Sequence, residues 1–76
     1  MEFAWDPNKA ASNLAKQKVS FHEAATVFRD PLSITFDDPD HSEDEDRFII
    51  IGTSAGGRLL MVAHTDRGSR TRIISA

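Results

Sequence analysis

The last ten residues of the 76-residue chain carry three arginines, Arg67, Arg70 and Arg72, and no acidic residue. A guanidinium group presents a planar fork of hydrogen-bond donors that matches phosphate oxygens in a two-pronged fashion. Residues 70–75 are predicted to form a strand, in which Arg70 and Arg72 share one face and could grip one phosphodiester. The same charges would also suit a solvated edge strand, where they hinder aggregation.

Two further residues near these arginines could take part in such chemistry. His64 ends the predicted strand before the turn that carries Arg67, and an imidazole titrates near neutral pH, so it could act as a general acid or base. A histidine at the end of a strand can instead be bonded to backbone or water. Arg47 opens the preceding apolar segment as a further cation, but it could also balance the acidic loop beside it.

The composition describes a small single domain, residues 1–76, with a net charge of −3 and 39% apolar residues. The net charge argues against a general nucleic-acid binder. The low apolar content suggests that a partner or a second copy covers part of the surface. The N-terminus lacks a signal-peptide pattern, and no apolar run approaches the ~20 residues of a membrane span, so we expect a cytoplasmic protein that does not contact a membrane.

The sequence predicts no metal site and no cofactor. The chain has no cysteine, which excludes a thiolate zinc site, and its three histidines include no close pair. The acidic segment from Asp37 to Asp46 lacks the ligand spacing of an EF-hand loop, so we interpret it as a solvated turn rather than a cation site.

Two short helices are predicted in the first half of the chain. Asp6 followed by proline is typical of an N-cap and a first helical residue, and this helix extends through Lys16. Ser20 and Glu23 form the pattern of a capping box, which begins a second helix that ends near Phe28. The two helices would form a helical hairpin.

Strands are predicted at residues 2–5, 32–36, 48–51, 59–63 and 70–75. The third and fourth flank a segment with Gly56 and Gly57, which can take the positive φ of a tight turn, so they predict a central β-hairpin. The predicted order is β-α-α-β-β-β(-β). It gives an α+β two-layer fold, in which a helical hairpin packs on one face of an antiparallel sheet.

Several short patterns also follow one another along essentially the whole chain. They are F-x-W-D-P-x-K (Phe3, Trp5, Asp6, Pro7, Lys9), Asn13, V-S-F-x-E-A (19–24), V-F-x-D-P (27–31), R-F-x-x-I-G (47–52) and R-I-I-S-A (72–76). Each pattern alone is weak, but the ordered set is specific. Together they resemble the BrnT family of type II toxins, a branch of the RelE-like ribonuclease toxins.

The resemblance implies a RelE-like fold, a ribonuclease activity that blocks translation, and a BrnA-like antitoxin with a ribbon-helix-helix domain. It also implies that the complex represses its own operon, so operator DNA would be reached only through the antitoxin. A metal-free ribonuclease must deprotonate the 2′-hydroxyl, stabilise charge on the phosphate and protonate the leaving oxygen. On this basis Arg67, Arg72 and His64 are the candidate catalytic residues of a metal-independent endoribonuclease.

The candidate RNA-binding residues are Arg47, Arg70, Lys9 and Lys16. Both lysines lie on the first helix, where they could contact RNA or an acidic partner, or could be merely solvated. Trp5 is interpreted as a core residue rather than a platform for base stacking, because it alternates with Phe3 before a helix cap.

The chain departs from the family pattern in two places. The family usually has Lys-His-Gly where this chain has Lys16, Gln17 and Lys18, so the family's histidine and helix-ending glycine are replaced. The family also continues into an arginine-rich C-terminal helix after the last strand, and this chain stops at Ala76. A shortened, non-catalytic module is therefore the alternative prediction. It would bind an antitoxin or form a homodimer through an exposed sheet face.

Overall fold

The structure is a computed structural model that describes residues 1–38, 40 and 46–76. The described elements are β1 (Glu2–Ala4), α1 (Pro7–Gln17), α2 (Phe21–Thr26), a 3₁₀ turn (Val27–Arg29), β2 (Ile34–Asp37), β3 (Phe48–Thr53), β4 (Leu59–Arg67) and β5 (Arg70–Ser75). The five strands form one sheet, and the helices pack on one of its faces. This confirms the predicted α+β two-layer fold.

Both helices begin at the predicted capping residues. The Asp6 carboxylate accepts a 2.8 Å hydrogen bond from the backbone N–H of Asn8, and Ser20 Oγ accepts a 3.0 Å bond from the N–H of Glu23. The Glu23 side chain faces the β3–β4 turn instead of completing the predicted capping box. Helix α2 is shorter than predicted, because residues 27–29 tighten into the 3₁₀ turn before the Asp-Pro pair.

Helix α1 ends in a left-handed residue that is not glycine. Lys18 has φ 61° and ψ 29°, and its N–H donates a 3.0 Å hydrogen bond to the carbonyl of Leu14. A β-carbon in this region costs roughly 1–2 kcal/mol, which is why glycine is usual at such a helix end. Lys18 therefore bears a conformational strain that a glycine would not.

The strand order in the sheet is β1-β5-β4-β3-β2. The four strands after the helices pair antiparallel as predicted, and β3 and β4 each have a neighbour on both sides. Strand β1 instead pairs in parallel with β5, which makes the sheet mixed rather than wholly antiparallel. The connection from β1 to β5 is long, so it does not restrict the pairing direction as a short hairpin turn does.

The core lies between the helices and the sheet face that they cover, which we call the inner face. Phe21 from α2 and Ile73 from β5 are each 1% exposed, and Val27 and Val62 are fully buried. Trp5 packs against this cluster with its ring edge-on to Phe21 at 6.0 Å, as expected for a core residue.

A polar network joins α2 to the β3–β4 turn. The Glu23 carboxylate accepts hydrogen bonds from Ser54 Oγ at 2.7 Å and from Arg58 Nε at 2.9 Å, and it also pairs with Arg58 Nη2. Thr26 Oγ1 accepts a 2.8 Å bond from the backbone N–H of Ala55. The bond from Arg58, followed by the bond from Ser54, lowers the pKa of Glu23 to about 2.

Asp30 makes the next contact between the helical layer and the hairpin. Its carboxylate accepts 2.8 Å and 2.9 Å hydrogen bonds from the backbone N–H groups of Thr53 and Leu32, and these bonds lower its pKa. Gly52 lies against the same contact, since a β-carbon there would come within 3.0 Å of Val27 Cγ1 and 3.1 Å of Asp30 Oδ2. The close approach of the two layers therefore requires a glycine.

The two adjacent glycines of the β3–β4 turn serve different purposes. Gly57 takes the predicted positive φ, 82°, which suits a glycine in a tight turn. At Gly56 a β-carbon would lie 3.1 Å from Glu23 Oε2, so this glycine leaves room for the carboxylate.

The sheet face opposite the helices, which we call the outer face, has no covering layer in the described part of the chain. Large apolar side chains are exposed there: Ile34 at 66%, Phe36 at 43%, Leu59 at 74% and Met61 at 57%. The central hairpin is thus buried mainly on its inner side, although Ala63 and Thr65 of β4 are also buried, at 9% and 1% exposure.

We expect Lys18→Gly to raise the free energy of unfolding by about 1 kcal/mol, because glycine adopts the left-handed region without a β-carbon clash. Lys18→Ala is the matched control, since it removes the same side chain but keeps the β-carbon, and it should change stability by less than about 0.5 kcal/mol. Urea unfolding measures both. Equal effects of the two substitutions would show that the side chain, not the backbone, determines stability here.

The Glu23 network predicts a specific acid sensitivity. The pKa of Glu23 falls from 4.5 to about 2 on folding, so its contribution to stability is complete above about pH 4.5 and is lost as the pH falls towards 2. We expect the stability of Glu23→Gln to depend less steeply on pH across this range than that of the unsubstituted chain. Parallel pH curves in chemical denaturation would contradict the assigned network.

Candidate functional site

The last strand places two of the candidate arginines on the outer face. Thr71 and Ile73 are buried on the inner face, at 5% and 1% exposure, so the alternation of β5 turns Arg70 and Arg72 outward. Arg70 is exposed and Arg72 is half-buried. The two guanidinium groups therefore share the side of the sheet that the helices leave uncovered.

Two more arginines extend this group across the sheet. Arg67 ends β4 and stands opposite Arg70 in the ladder. Arg47 directly precedes β3, and since the Phe48 ring contacts the His64 ring inside the protein, alternation turns Arg47 to the outer face. The resulting basic cluster lies on or beside three adjacent strands and consists of Arg47, Arg67, Arg70 and Arg72.

Thr65 lies within the basic cluster on the outer face. It stands opposite Arg72 in the β4–β5 ladder and is 1% exposed. Its buried Oγ1 has no hydrogen-bond partner, and leaving such a hydroxyl unsatisfied costs roughly 1–3 kcal/mol. An anion that binds among the guanidinium groups would find one neutral donor beside them.

Among the described residues, two carboxylates share the outer face with the basic cluster. Asp38 lies beside Arg47, whose carbonyl accepts a 2.8 Å hydrogen bond from the Asp38 N–H. Glu2 stands opposite Arg70 in the parallel β1–β5 ladder, and its Oε2 lies 3.3 Å from Arg70 Nε. Both side chains are largely exposed, so the pair contributes little to stability. Arg72, by contrast, has no ion-pair partner among the described residues.

His64 lies on the inner face, away from the basic cluster. It is 3% exposed and packs between two aromatic rings, with centroids 4.8 Å from Phe28 and 5.7 Å from Phe48. Its Nδ1 is 3.6 Å from Asp66 Oδ1, which is too long for a hydrogen bond. The structure therefore does not bring His64 together with the arginines that the sequence grouped with it.

Burial determines the charge of His64. Removal from water lowers its pKa, and the attraction of the nearby Asp66 carboxylate opposes this effect only in part. The imidazole is therefore neutral near pH 7, and it serves as a flat side chain between two phenylalanines.

The two candidate lysines lie on α1, seven residues apart and thus on one side of the helix. Lys9 and Lys16 line a shallow groove of about 230 Å³, together with Asn13 of the same helix and Ile74 and Ser75 of β5. This groove begins two residues after Arg72 on the same strand. The lysines are therefore close in the fold to the basic cluster but belong to a different surface.

Sequence reasoning missed two residues that accompany the arginines. Thr65 could have been found, because it lies two residues before Arg67 in the same strand and must share its face. The contribution of Glu2 could not have been predicted, because its position opposite Arg70 depends on the register between β1 and β5, which no short-range pattern encodes.

The predicted acidic turn at Asp37–Asp46 falls largely on residues 39 and 41–45, which lie outside the described residues. Within residues 1–38, 40 and 46–76, no group of three or more His, Asp or Glu side chains is arranged to hold a metal ion.

Comparison with protein families supports the resemblance that the ordered motifs suggested. A model described as "Ribonuclease toxin, BrnT, of type II toxin-antitoxin system" matches residues 5–76. A search of curated proteins gave no match. In the part of the chain that the structure describes, no helix is long and apolar enough to cross a membrane. Because the family match spans nearly all of the sequence, the chain belongs to the BrnT family, the ribonuclease toxins of type II toxin–antitoxin systems.

Proposed function

We propose that this chain cleaves RNA and that it binds the RNA phosphates with the basic cluster on its outer face. Family membership supports RNA as the substrate. The observation that carries the site is that four arginines collect on the uncovered sheet face of a protein whose net charge is −3. A local positive surface of this kind concentrates a polyanionic ligand, even on an acidic protein.

Arg72 is the residue that we assign to the reacting phosphate. It is half-buried, and its side chain forms no ion pair with another described residue. A guanidinium group in such partial burial interacts more strongly with developing charge than one that is fully hydrated. Arg67 beside it is the second candidate for this catalytic role, and Arg47 and Arg70 would hold neighbouring phosphates.

Lys9 and Lys16 extend the proposed path of the RNA. Their groove begins where β5 passes the basic cluster, so a strand of RNA that follows β5 would meet the lysines after the arginines. We assign them backbone contacts, which add affinity and salt dependence without base specificity.

The proposal does not rely on His64 for proton transfer. RNA on the outer face would be separated from this imidazole by the sheet itself, and Phe28 and Phe48 enclose the ring on the inner side. A catalytic role for His64 stays a prediction from the sequence, and its substitution tests that role.

The proposed partner is a BrnA-like antitoxin with a ribbon-helix-helix domain, so that operator DNA is reached only through the complex. We expect both proteins in the cytoplasm, where RNA and operator are found. The predicted homodimer through the exposed sheet face is a competing use of the same surface, and sedimentation of the chain alone tests it.

A non-catalytic antitoxin-binding module is the second candidate function. The observation that favours it is the lack of a free proton-transfer group beside the arginines. Among the described residues, His22 and His64 both lie away from the outer face. The carboxylate of Glu2 is paired with Arg70, and Asp38 is also engaged in an interaction. A chain that binds the antitoxin but does not cut RNA would support this candidate.

The first test compares RNA cleavage by the unsubstituted chain and by Arg72→Ala, without added metal. We expect the substitution to slow cleavage about 100-fold, because it removes a donor aimed at developing charge. Arg72→Lys should recover part of the rate, since it restores the charge but not the two-pronged geometry.

Arg29→Ala is the matched control for that comparison. Arg29 is an exposed arginine on the helical layer, so its loss changes net charge equally but should leave the cleavage rate within about twofold. Equal rates for Arg72→Ala and Arg29→Ala would remove Arg72 from the site.

His64 gives a prediction that separates a core role from a catalytic one. Its pKa is lower in the folded state than the unfolded value of 6.5, so the unfolded chain takes up the proton first and stability should decrease as the pH falls below about 7. His64→Leu should lose this dependence below about pH 7 while it retains RNA cleavage. Loss of cleavage in a folded His64→Leu chain would instead establish a catalytic histidine.

A further inference from the structure

The outer face carries a continuous apolar surface beside the basic cluster. Ile34 stands opposite Ile51, which stands opposite Met61, and the next row joins Phe36 to Ile49 in the same way. These residues and Leu59 form what we call the apolar patch: Ile34, Phe36, Ile49, Ile51, Leu59 and Met61. Single exposed apolar side chains are common, but a contiguous group across three strands marks a site of contact.

The dimensions of the apolar patch match one helix. Three neighbouring strands span about 10 Å across the sheet, and the stretch of β4 from Leu59 to Ala63 is about 13 Å long. An α-helix with its side chains is about 10–12 Å wide and rises about 5.4 Å per turn. The patch could therefore seat a helix of two to three turns along the strands.

The charges next to the patch define the chemistry of that helix. Beyond Met61, strand β4 continues on the outer face through Ala63 and Thr65 to Arg67, and Arg72 stands opposite Thr65. A helix that follows β4 from the apolar patch thus reaches the basic cluster. Carboxylates at that end would meet guanidinium groups across the interface.

A second copy of the chain fits this face poorly. On the outer face the described residues offer four arginines but two carboxylates, Asp38 beside Arg47 and Glu2 paired with Arg70. Stacking two outer faces would therefore remove more guanidinium groups from water than the carboxylates of this face could pair with, which is costly. The face is complementary to an acidic partner rather than to itself.

We propose that the apolar patch docks one amphipathic α-helix of a protein partner, with acidic residues of that helix placed on the basic cluster. The patch supplies the buried area, and the arginines determine the direction and the charge of the helix. That the docked helix excludes RNA from Arg72 rests on the proposed function, whereas the docking itself does not.

The probe is a synthetic helix about 18 residues long, with leucine along one face and glutamate beside it. A twin with lysine in place of every glutamate has the same apolar face. Both are titrated into the full chain without RNA, while two-dimensional NMR follows the methyl groups of Ile34, Ile51 and Met61. We expect the acidic peptide to shift these methyls and to bind at least about tenfold more tightly than the lysine twin.

Variants of the chain locate the site. Ile34→Ser combined with Met61→Ser changes two side chains that are more than half exposed, so the core is untouched, and it should weaken the acidic peptide at least about tenfold. Leu14→Ser is the matched control, because Leu14 is 50% exposed but lies on α1. Arg72→Ala should weaken the binding of the acidic peptide but leave the binding of the lysine twin unchanged.

Absence of methyl shifts at about 1 mM acidic peptide, or equal affinity for both peptides, would overturn the proposal. A dimer of the chain that disappears in the Ile34→Ser, Met61→Ser variant would also overturn it, in favour of a second copy. A chain that binds the peptide but cuts no RNA would contradict the proposed function alone. One that cuts RNA but ignores the peptide would contradict the docking site alone.

Discussion

The ion pair between Glu23 and Arg58 attaches the helical layer to the sheet, and the arrangement of both faces depends on it. Glu23 also accepts the Ser54 hydroxyl, and Arg58 reaches the carbonyl of Lys18 at 3.0 Å, so one carboxylate and one guanidinium join α2, the link between the helices and the β3–β4 turn. Asp30, seven residues after Glu23, adds a second link by accepting the backbone N–H of Thr53. With the short helices tied to the inner face in this way, the described chain has no element left to cover the outer one.

The sequence predicted those features whose cause is local. The caps at Asp6 and Ser20, the glycine turn and the antiparallel pairing of β3 with β4 all follow from residues within a few positions of one another. One of these local predictions, the capping box, was overridden by a tertiary contact. Glu23 has the spacing of a capping-box partner for Ser20, but its carboxylate gains two bonds from Arg58 and one from Ser54 at the hairpin turn. The same Ser-x-x-Glu pattern can therefore either form a capping box or connect a helix to the neighbouring sheet.

In the candidate site, too, some features have local causes that the sequence reveals and others depend on long-range strand pairing. Strand alternation alone was enough to group Arg70 with Arg72 on one face. It would also have separated His64 from Arg67, because residues three apart in a strand point to opposite sides. His64 and Arg67 were grouped because they are close in sequence and because an imidazole beside arginines could transfer protons. The pairing of Glu2 with Arg70 lay beyond prediction for a different reason, since it joins the two ends of the chain through a register that only the finished sheet defines.

The open outer face is costly for so small a domain, and this cost is an argument about function. Burying one large aliphatic side chain contributes roughly 1.5–3 kcal/mol, and a chain of this length buries only about 60% of its unfolded surface. Ile34, Leu59 and Met61 are each more than half exposed. In the isolated domain these apolar side chains therefore do not contribute the stability that their burial would provide. Apolar side chains held next to a basic cluster contribute this free energy only once they are covered. If the outer face binds RNA through its arginines and a partner helix through its apolar rows, as we propose, occupancy by one excludes the other.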